Sequence, residues 1–294
     1  MNYTQSLSEK LISKISGIVL ILLSIFMLYP FIYVFLYSIS DGVAAGATTI
    51  TIYPIKPTLE NYQAVFANRG IMNAFFISVS RTVTGAALHL MVTLSVAYAL
   101  SKRRLVGRNK IMLYFVIPMY FTGGLLPFYV VVTKLHLLNN FLVYILPTAY
   151  GVFNMLLAKV FFEQLPAGIE EAAKIDGCSD LQVFIQIVLP SSLPIVATIA
   201  MFSGVAQWNS WFDAMVFVSK PNLQPLQTML YRIILESQTT TIEQIMRLSS
   251  GKVSISSESI KMTTLMVSTV PIIIVYPFLQ KYFLKGMMVG AIKG

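Results

Sequence analysis

The chain has 294 residues, 56% of them hydrophobic and only 11% charged, with 21 Lys and Arg against 12 Asp and Glu for a formal net charge of +9. A soluble domain carries about 25% charged residues, so this composition excludes a disordered chain, argues against an ordinary soluble enzyme and points to a polytopic membrane protein. The single Cys178 excludes an intrachain disulfide framework and any cysteine-rich metal site, and His89 and His136 are too far apart in sequence to support a zinc cluster.

A spanning helix needs about 20 mostly apolar residues, and in hydrocarbon its backbone groups must bond within the segment. The chain therefore reads as an all-α polytopic membrane protein. A cytoplasmic N-terminus at 1–14 precedes a transmembrane domain at 15–294, with six transmembrane helices near 15–39, 73–101, 111–133, 137–160, 187–210 and 262–282. Lys10 and Lys14 before the first span, and Ala44, Ala45 and Ala47 after it, imitate a signal peptide. Its apolar run exceeds the roughly 7–15 residues of a signal core, and the chain starts at Met1, so cleavage is not expected. The second span holds Arg81; the aromatic residues of the third and fourth read as packing and lipid contact. The fifth apolar run, 181–212, exceeds one span and takes in interfacial residues at its ends. Pro30, Pro118, Pro127, Pro147, Pro190, Pro194, Pro271 and Pro277 fall within the spans. Helices tolerate such breaks when they pack on neighbours or line a cavity, which leans towards a transporter or channel over a passive anchor.

Orientation follows from Lys and Arg. With the N-terminus cytoplasmic, the inside segments hold Lys10, Lys14, Lys102, Arg103, Arg104, Arg108, Lys110, Lys174, Lys281, Lys285 and Lys293, while the short outside loops hold Lys56, Arg69 and Lys134. Both termini are then cytoplasmic and the long loop at 213–261 lies outside, with a helical piece at 225–236. The cluster at Lys102, Arg103, Arg104, Arg108 and Lys110 is first a topology determinant, with contact to a partner or anionic membrane lipid as the lesser reading. This bias explains much of the net charge, so a nucleic-acid partner is not needed.

No phosphate loop, nucleophile elbow or metalloprotease helix is present, so any ATP-driven work is done by another subunit. The most informative stretch lies between the fourth and fifth spans, at 164–180. Pro166 suits a first helical turn, Glu170 and Glu171 suit the positive end of the helix dipole, Ala172 and Ala173 form helix with almost no bulk, and Gly177 permits a left-handed stop. A short polar helix, a sharp turn and a second helix entering the membrane make a docking element.

Glu171, Ala172, Ala173 and Gly177, followed by Ile187, Leu189 and Pro190, match at every fixed position the EAA signature of binding-protein-dependent ABC importer permeases, which this chain resembles. Lys56-Pro57-Thr58-Leu59-Glu60-Asn61-Tyr62 and the tail from Lys285 to Gly294 resemble the carbohydrate-uptake branch, the six-span partner of maltose-type transporters and, within it, permeases for complex oligo- or polysaccharides such as alginate. The resemblance implies a bacterial inner-membrane assembly of this non-catalytic permease, a second permease and two ATPase subunits that bind ATP and magnesium, fed by a periplasmic or extracellular sugar-binding protein. It implies no cofactor and no metal in this chain. It further implies that Glu170, Glu171, Ala172, Ala173, Lys174, Asp176 and Gly177 couple to an ATPase, and that Gly290, Ala291, Ile292, Lys293 and Gly294 contact the ATPase dimer. The alternatives are an ion-coupled secondary transporter, which would need intramembrane acids and internal repeats, and a non-transporting scaffold.

Candidate substrate-path residues are Arg81, Trp208, Asn209, Trp211 and Asp213. Sugar rings stack their C–H faces on aromatics and give their hydroxyls to amides and carboxylates. The competing reading for the tryptophans is the interfacial aromatic belt, and for Arg81 snorkelling to the outer surface. His89 reads as a neutral hydrogen-bonded packing residue and Cys178 as a small packed one.

Overall fold

The computed structural model describes residues 7–47, 53–121, 123–237 and 256–291. Among these the regular structure is helical, apart from an isolated antiparallel bridge between Ser40 and Pro57. In chain order the helices are α1 Leu7–Ser38, α2 Gly42–Ala47, α3 Glu60–Ala67, α4 Arg69–Ser101, α5 Arg108–Tyr120, α6 Leu125–Lys134, α7 Val152–Glu163, α8 Ala167–Ile175, α9 Asp180–Val183, α10 Leu189–Ser191, α11 Leu193–Asn209, α12 Phe212–Phe217, α13 Leu226–Ser237 and α14 Ser257–Ala291. A π-helical turn, Phe184–Val188, joins α9 to α10.

Leu11–Ser38, Arg69–Ser101 and Ser257–Phe278 are each long and apolar enough to cross a bilayer, and the number of spans among the described residues rises to 6 if bent helix pairs count as one. The stretch at 187–210, expected as one helix, bends by 85° between Asp180–Ser191 and Leu193–Asn209. Pro190 and Pro194 flank the bend; each removes an amide donor, and a proline ring crowds the carbonyl four residues back. In the stretch at 137–160, regular α-helix starts only at Val152, after a 3-10 turn at Phe141–Tyr144. Hydropathy registers burial here without the backbone's direction. On one side the irregular segment packs on protein: Leu137, Val143, Tyr144 and Ile145 meet Ala214, Phe217 and Val218. Its turns are held by Asn140 Oδ1, which accepts from the Leu142 amide at 3.0 Å, and by Asn139 Oδ1, which accepts from the Ser219 amide at 2.6 Å. Non-helical backbone survives at membrane depth on that condition.

The chain divides into two compact units, Met1–Asn68 with Arg232–Val267, and Arg69–Tyr231 with Ser268–Gly294. In the first, the Lys56–Tyr62 motif clasps the end of α1. Asn61, fully buried, donates through Nδ2 to the carbonyls of Ser38 (3.0 Å) and Ser40 (2.7 Å), and the Tyr62 hydroxyl meets Ser38 Oγ at 2.9 Å. A helix ends with four carbonyls lacking intrahelical donors, and the asparagine amide answers the chain where α1 stops.

In the second unit α4 is the spine, packed along α11 and α7. Its core joins Leu94, Ala97, Tyr98 and Leu100 of α4 to Met155, Ala158 and Phe162 of α7, Ala173 of α8, Val183, Phe184 and Val188 beyond it, and Ile195 and Ile199 of α11. Alanines at 97 and 158 let the backbones of α4 and α7 approach closely, which matters where lipid tails offer no hydrophobic driving force for association.

Asn61→Ala removes the donor from two buried carbonyls, so it should cost about 2 kcal/mol and lower the melting temperature of the detergent-purified protein by several degrees; an unchanged melting curve would show that the clasp carries no load.

Candidate functional site

The segment at 164–180 is built by local chemistry. Pro166 caps α8 with φ −58°, and Glu170 sits in the first turn. At the other end Gly177 takes φ +85°, the Cys178 amide donates to the Ala173 carbonyl (3.0 Å) and the Gly177 amide to the Lys174 carbonyl (3.1 Å). That is the glycine-terminated pair of bonds that satisfies the last carbonyls of a helix, and any side chain at 177 would strain it. The next helix opens on a reciprocal capping box between Ser179 and Gln182. The C-terminal end of α8 is thus fixed by hydrogen bonds, and a proline with a set φ opens the other.

Around its circumference α8 is divided. Ala173 is buried in the core, whereas Glu171 and Ala172 are exposed and Ile175 is 87% exposed. Glu170 pairs with Lys102, whose Nζ stands 4.0 Å over the Tyr98 ring. Lys174 pairs with Asp180 at 2.7 Å, and its hydrogen bond holds the exposed Asp180 carboxyl below its ordinary value. Arg108 donates through Nε to the Leu100 carbonyl at 2.7 Å and also pairs with Glu163. Lys102 and Arg108, which sequence reasoning reads as topology determinants, therefore meet carboxylates at 170 and 163. Pairings across such separations leave no local signal.

Arg81 and Asp213, both substrate-path candidates, are in contact. Arg81 is fully buried; its Nη2 donates to Asp213 Oδ2 at 2.5 Å and its Nη1 to Asp213 Oδ1 at 3.2 Å. Nε and Nη2 donate to Gln207 Oε1 at 3.2 and 3.1 Å, Nη1 also to the Ser210 carbonyl at 3.2 Å, and the guanidinium carbon lies 4.4 Å from the Tyr144 ring centroid. Every guanidinium nitrogen is engaged. Gln207 in turn donates to the Tyr144 carbonyl (3.1 Å) and Thr148 Oγ1 (2.6 Å). Gly85 makes room for that amide, since a Cβ there would lie 2.5 Å from Gln207 Nε2.

Next along α4, His89 Nδ1 meets the Thr148 carbonyl at 2.7 Å and Nε2 meets Asn154 Nδ2 at 2.9 Å. A carbonyl accepts and an amide nitrogen donates, so this arrangement suits the neutral ring with its proton on Nδ1. Gly151 lets the ring approach: a Cβ there would sit 2.8 Å from His89 Cε1. Arg81, His89, Thr148, Asn154, Phe202 and Gln207 line a cavity of about 400 Å³. Its wall presents hydrogen-bonding groups and an aromatic ring, while the Arg81 charge is balanced by Asp213. Gln207, Thr148 and Asn154 are not apparent from sequence; Gly85 and Gly151, small residues inside spans, are the signals of close approach.

The other path candidates face elsewhere. Trp208 is 6% exposed, donates Nε1 to the Ser268 carbonyl at 3.0 Å and meets Phe75 edge-on at 6.0 Å, inside the protein rather than in an exposed belt. Trp211 stacks on Tyr231 at 4.2 Å, and Asn209 is exposed. The helix expected at 225–236 is found as α13. Residues 238–255 of the 213–261 loop, and Ile292, Lys293 and Gly294 of the tail, lie outside the described residues, while Gly290 and Ala291 close α14. No group of three His, Cys, Asp or Glu that could hold a metal ion occurs among the described residues.

Over residues 90–289 the chain matches the family of binding-protein-dependent transport system inner membrane components. It is 36% identical over 275 residues to the polygalacturonan/rhamnogalacturonan transport system permease protein YtcP of Bacillus subtilis (strain 168), covering 94% of this chain and 96% of that one. Protein LplC of the same organism is 38% identical over 266 residues, covering 90% and 89%. Among solved structures, a chain of a bacterial ABC transporter involved in the import of the acidic polysaccharide alginate superposes with a TM-score of 0.88 at 31% identity, covering 95% of this chain and 99% of that one. Sequence and fold agree: the chain belongs to the family of binding-protein-dependent transport system inner membrane components, as a non-catalytic permease subunit of an ABC importer.

Proposed function

We propose that this permease imports an oligo- or polysaccharide and that α8 is the helix through which a partner ATPase drives it. The observation that carries the reading is α8 itself: nine residues opened by Pro166 and closed at Gly177, with Ala173 buried and Glu171, Ala172 and Ile175 exposed. An exposed carboxylate beside a bare alanine surface suits a close-fitting partner with a basic residue. Glu171, Ala172, Lys174, Asp176 and Gly177 would form or shape that contact.

The family works with a second permease, ATPases and a substrate-binding protein. In this reading two ATPases bind ATP and magnesium, and this chain performs no covalent step. Closure of the ATPases displaces α8, and the membrane helices move between inward- and outward-facing states, a shift that needs differential contacts in the two states. The excess of Lys and Arg on one side supports both termini and α8 in the cytoplasm of a bacterial inner membrane, with 213–261 on the outside meeting the sugar-binding protein. Residues 290–294 are proposed to contact the ATPase dimer.

A saccharide is supported by the relatives that carry polygalacturonan, rhamnogalacturonan and alginate. The cavity beside Asn154, Thr148 and Phe202 offers what a sugar ring needs, amide and hydroxyl partners with an aromatic wall. Arg81 serves the path as a strut: with its charge met by Asp213, the carboxylates of an acidic cargo would be read by other groups. The same pairing removes Asp213 as a free carrier of a coupled ion.

Glu171→Ala should reduce ATPase retention on the affinity-tagged permease roughly ten-fold or more, the worth of one charge-assisted bond; undiminished co-purification contradicts the docking role. Arg81→Met should cost about 3 kcal/mol, because it leaves Asp213 unpaired, and Arg81→Met/Asp213→Leu should recover much of the loss in thermal unfolding. Equal melting of the single and double variants would contradict the strut.

A further inference from the structure

A nine-residue helix has little hold of its own. Isolated helices shorter than about 12–15 residues are marginal in water, so what orients α8 is what it touches. Its apolar grip is small: Ala173, 5% exposed, contributes a methyl group to the core. Three positions earlier, on the same helical face, Glu170 reaches Lys102, which lies one residue beyond the end of α4. A cation there also faces the negative end of the α4 dipole.

The lysine is held from two sides. Glu170 receives its ammonium, and the Tyr98 ring lies 4.0 Å beneath it. Tyr98 is itself fixed, stacked on Phe184 at 4.8 Å and edge-on to Phe162 at 6.1 Å. The side chains of Lys102 and Glu170 are only 34% and 19% exposed, so the pair is partly shielded from solvent and worth more than a surface contact. Glu171, one position on, is turned about 100° around the helix and is exposed. Of the two adjacent glutamates, Glu170 is thus the one engaged with Lys102, and Glu171 is the more exposed.

We infer that Lys102, Glu170 and the Tyr98 ring form a seat within this chain that orients α8, making Lys102 and Glu170 positioning residues and leaving Glu171 for the ATPase. Force delivered to α8 passes through this seat into α4. That helix runs 33 residues, about 50 Å at 1.5 Å per residue, and further along it Arg81 and His89 line the cavity. The inference rests on the reading that α8 docks an ATPase, and it adds which carboxylate belongs to which partner.

The test is ATPase retention by the tagged permease at raised salt, compared across Lys102→Glu, Glu170→Lys, the exchanged pair, Lys102→Arg and Glu171→Ala, at matched permease levels in the membrane. Each single reversal should lower retention at least five-fold, and the exchanged pair and Lys102→Arg should return it to within two-fold of the parent. Carbodiimide treatment of the unaltered complex should also join Lys102 to Glu170, read by peptide mass spectrometry. If the exchanged pair is no better than Glu170→Lys, Glu170 contacts the ATPase directly and the seat is wrong. If the reversals have no effect while Glu171→Ala releases the ATPase, the seat fails and docking stands. If none of the variants releases it, the docking reading itself has failed.

Discussion

A guanidinium within a membrane span must find its counter-charge and its acceptors inside the protein, because hydrocarbon supplies neither. Arg81 meets that demand with Asp213, Gln207 and the Ser210 carbonyl, and with the face of Tyr144. Each partner comes from a part of the chain distant in sequence, so satisfying one charge fixes α4 against the end of α11, α12 and the turn-rich stretch around Tyr144. Gly85 follows from the same demand, since a methyl group there would intrude on Gln207, and Gly151 makes the equivalent room for His89. Gln207 and Ser210, which accept from Arg81, also line the cavity.

α4 gives the second unit its continuity. Near one end it bears the Arg81 network and near the other the core that receives Ala173, with no proline between Arg69 and Ser101 to interrupt it. The path through 180–209 is different in kind, containing a π-helical turn and an 85° bend. Such turns recur at functional sites and are where a helix yields most readily. A permease needs parts that carry displacement and parts that flex, and the two lie side by side here.

The sequence was legible where the physics is local. The all-α membrane fold follows from the composition and apolar runs; α8 and the positive φ of Gly177 follow from Pro166, the paired glutamates and the alanines; α13 follows from the pattern after Pro225. What could not be read is long-range. Nothing near Arg81 names Asp213, and nothing near Lys102 names Glu170. Apolar runs at 137–160 and 187–210 report that residues are sheltered from water, and a buried turn is as sheltered as a helix, so the bend at Ser192 and the turns before Val152 stayed hidden. Trp208 illustrates the same limit: belt and interior tryptophans look alike until the Ser268 carbonyl is seen opposite its indole.

The claim on which the functional reading stands is that the outward face of α8 lies against an ATPase. It is tested most directly by placing a photo-crosslinking amino acid at Ile175, 87% exposed at the end of α8, and irradiating the assembled transporter in its native membrane. The reading predicts an adduct between this permease and the ATPase subunit. Adducts confined to lipid, to the permease itself or to a protein outside the membrane's cytoplasmic side would contradict it.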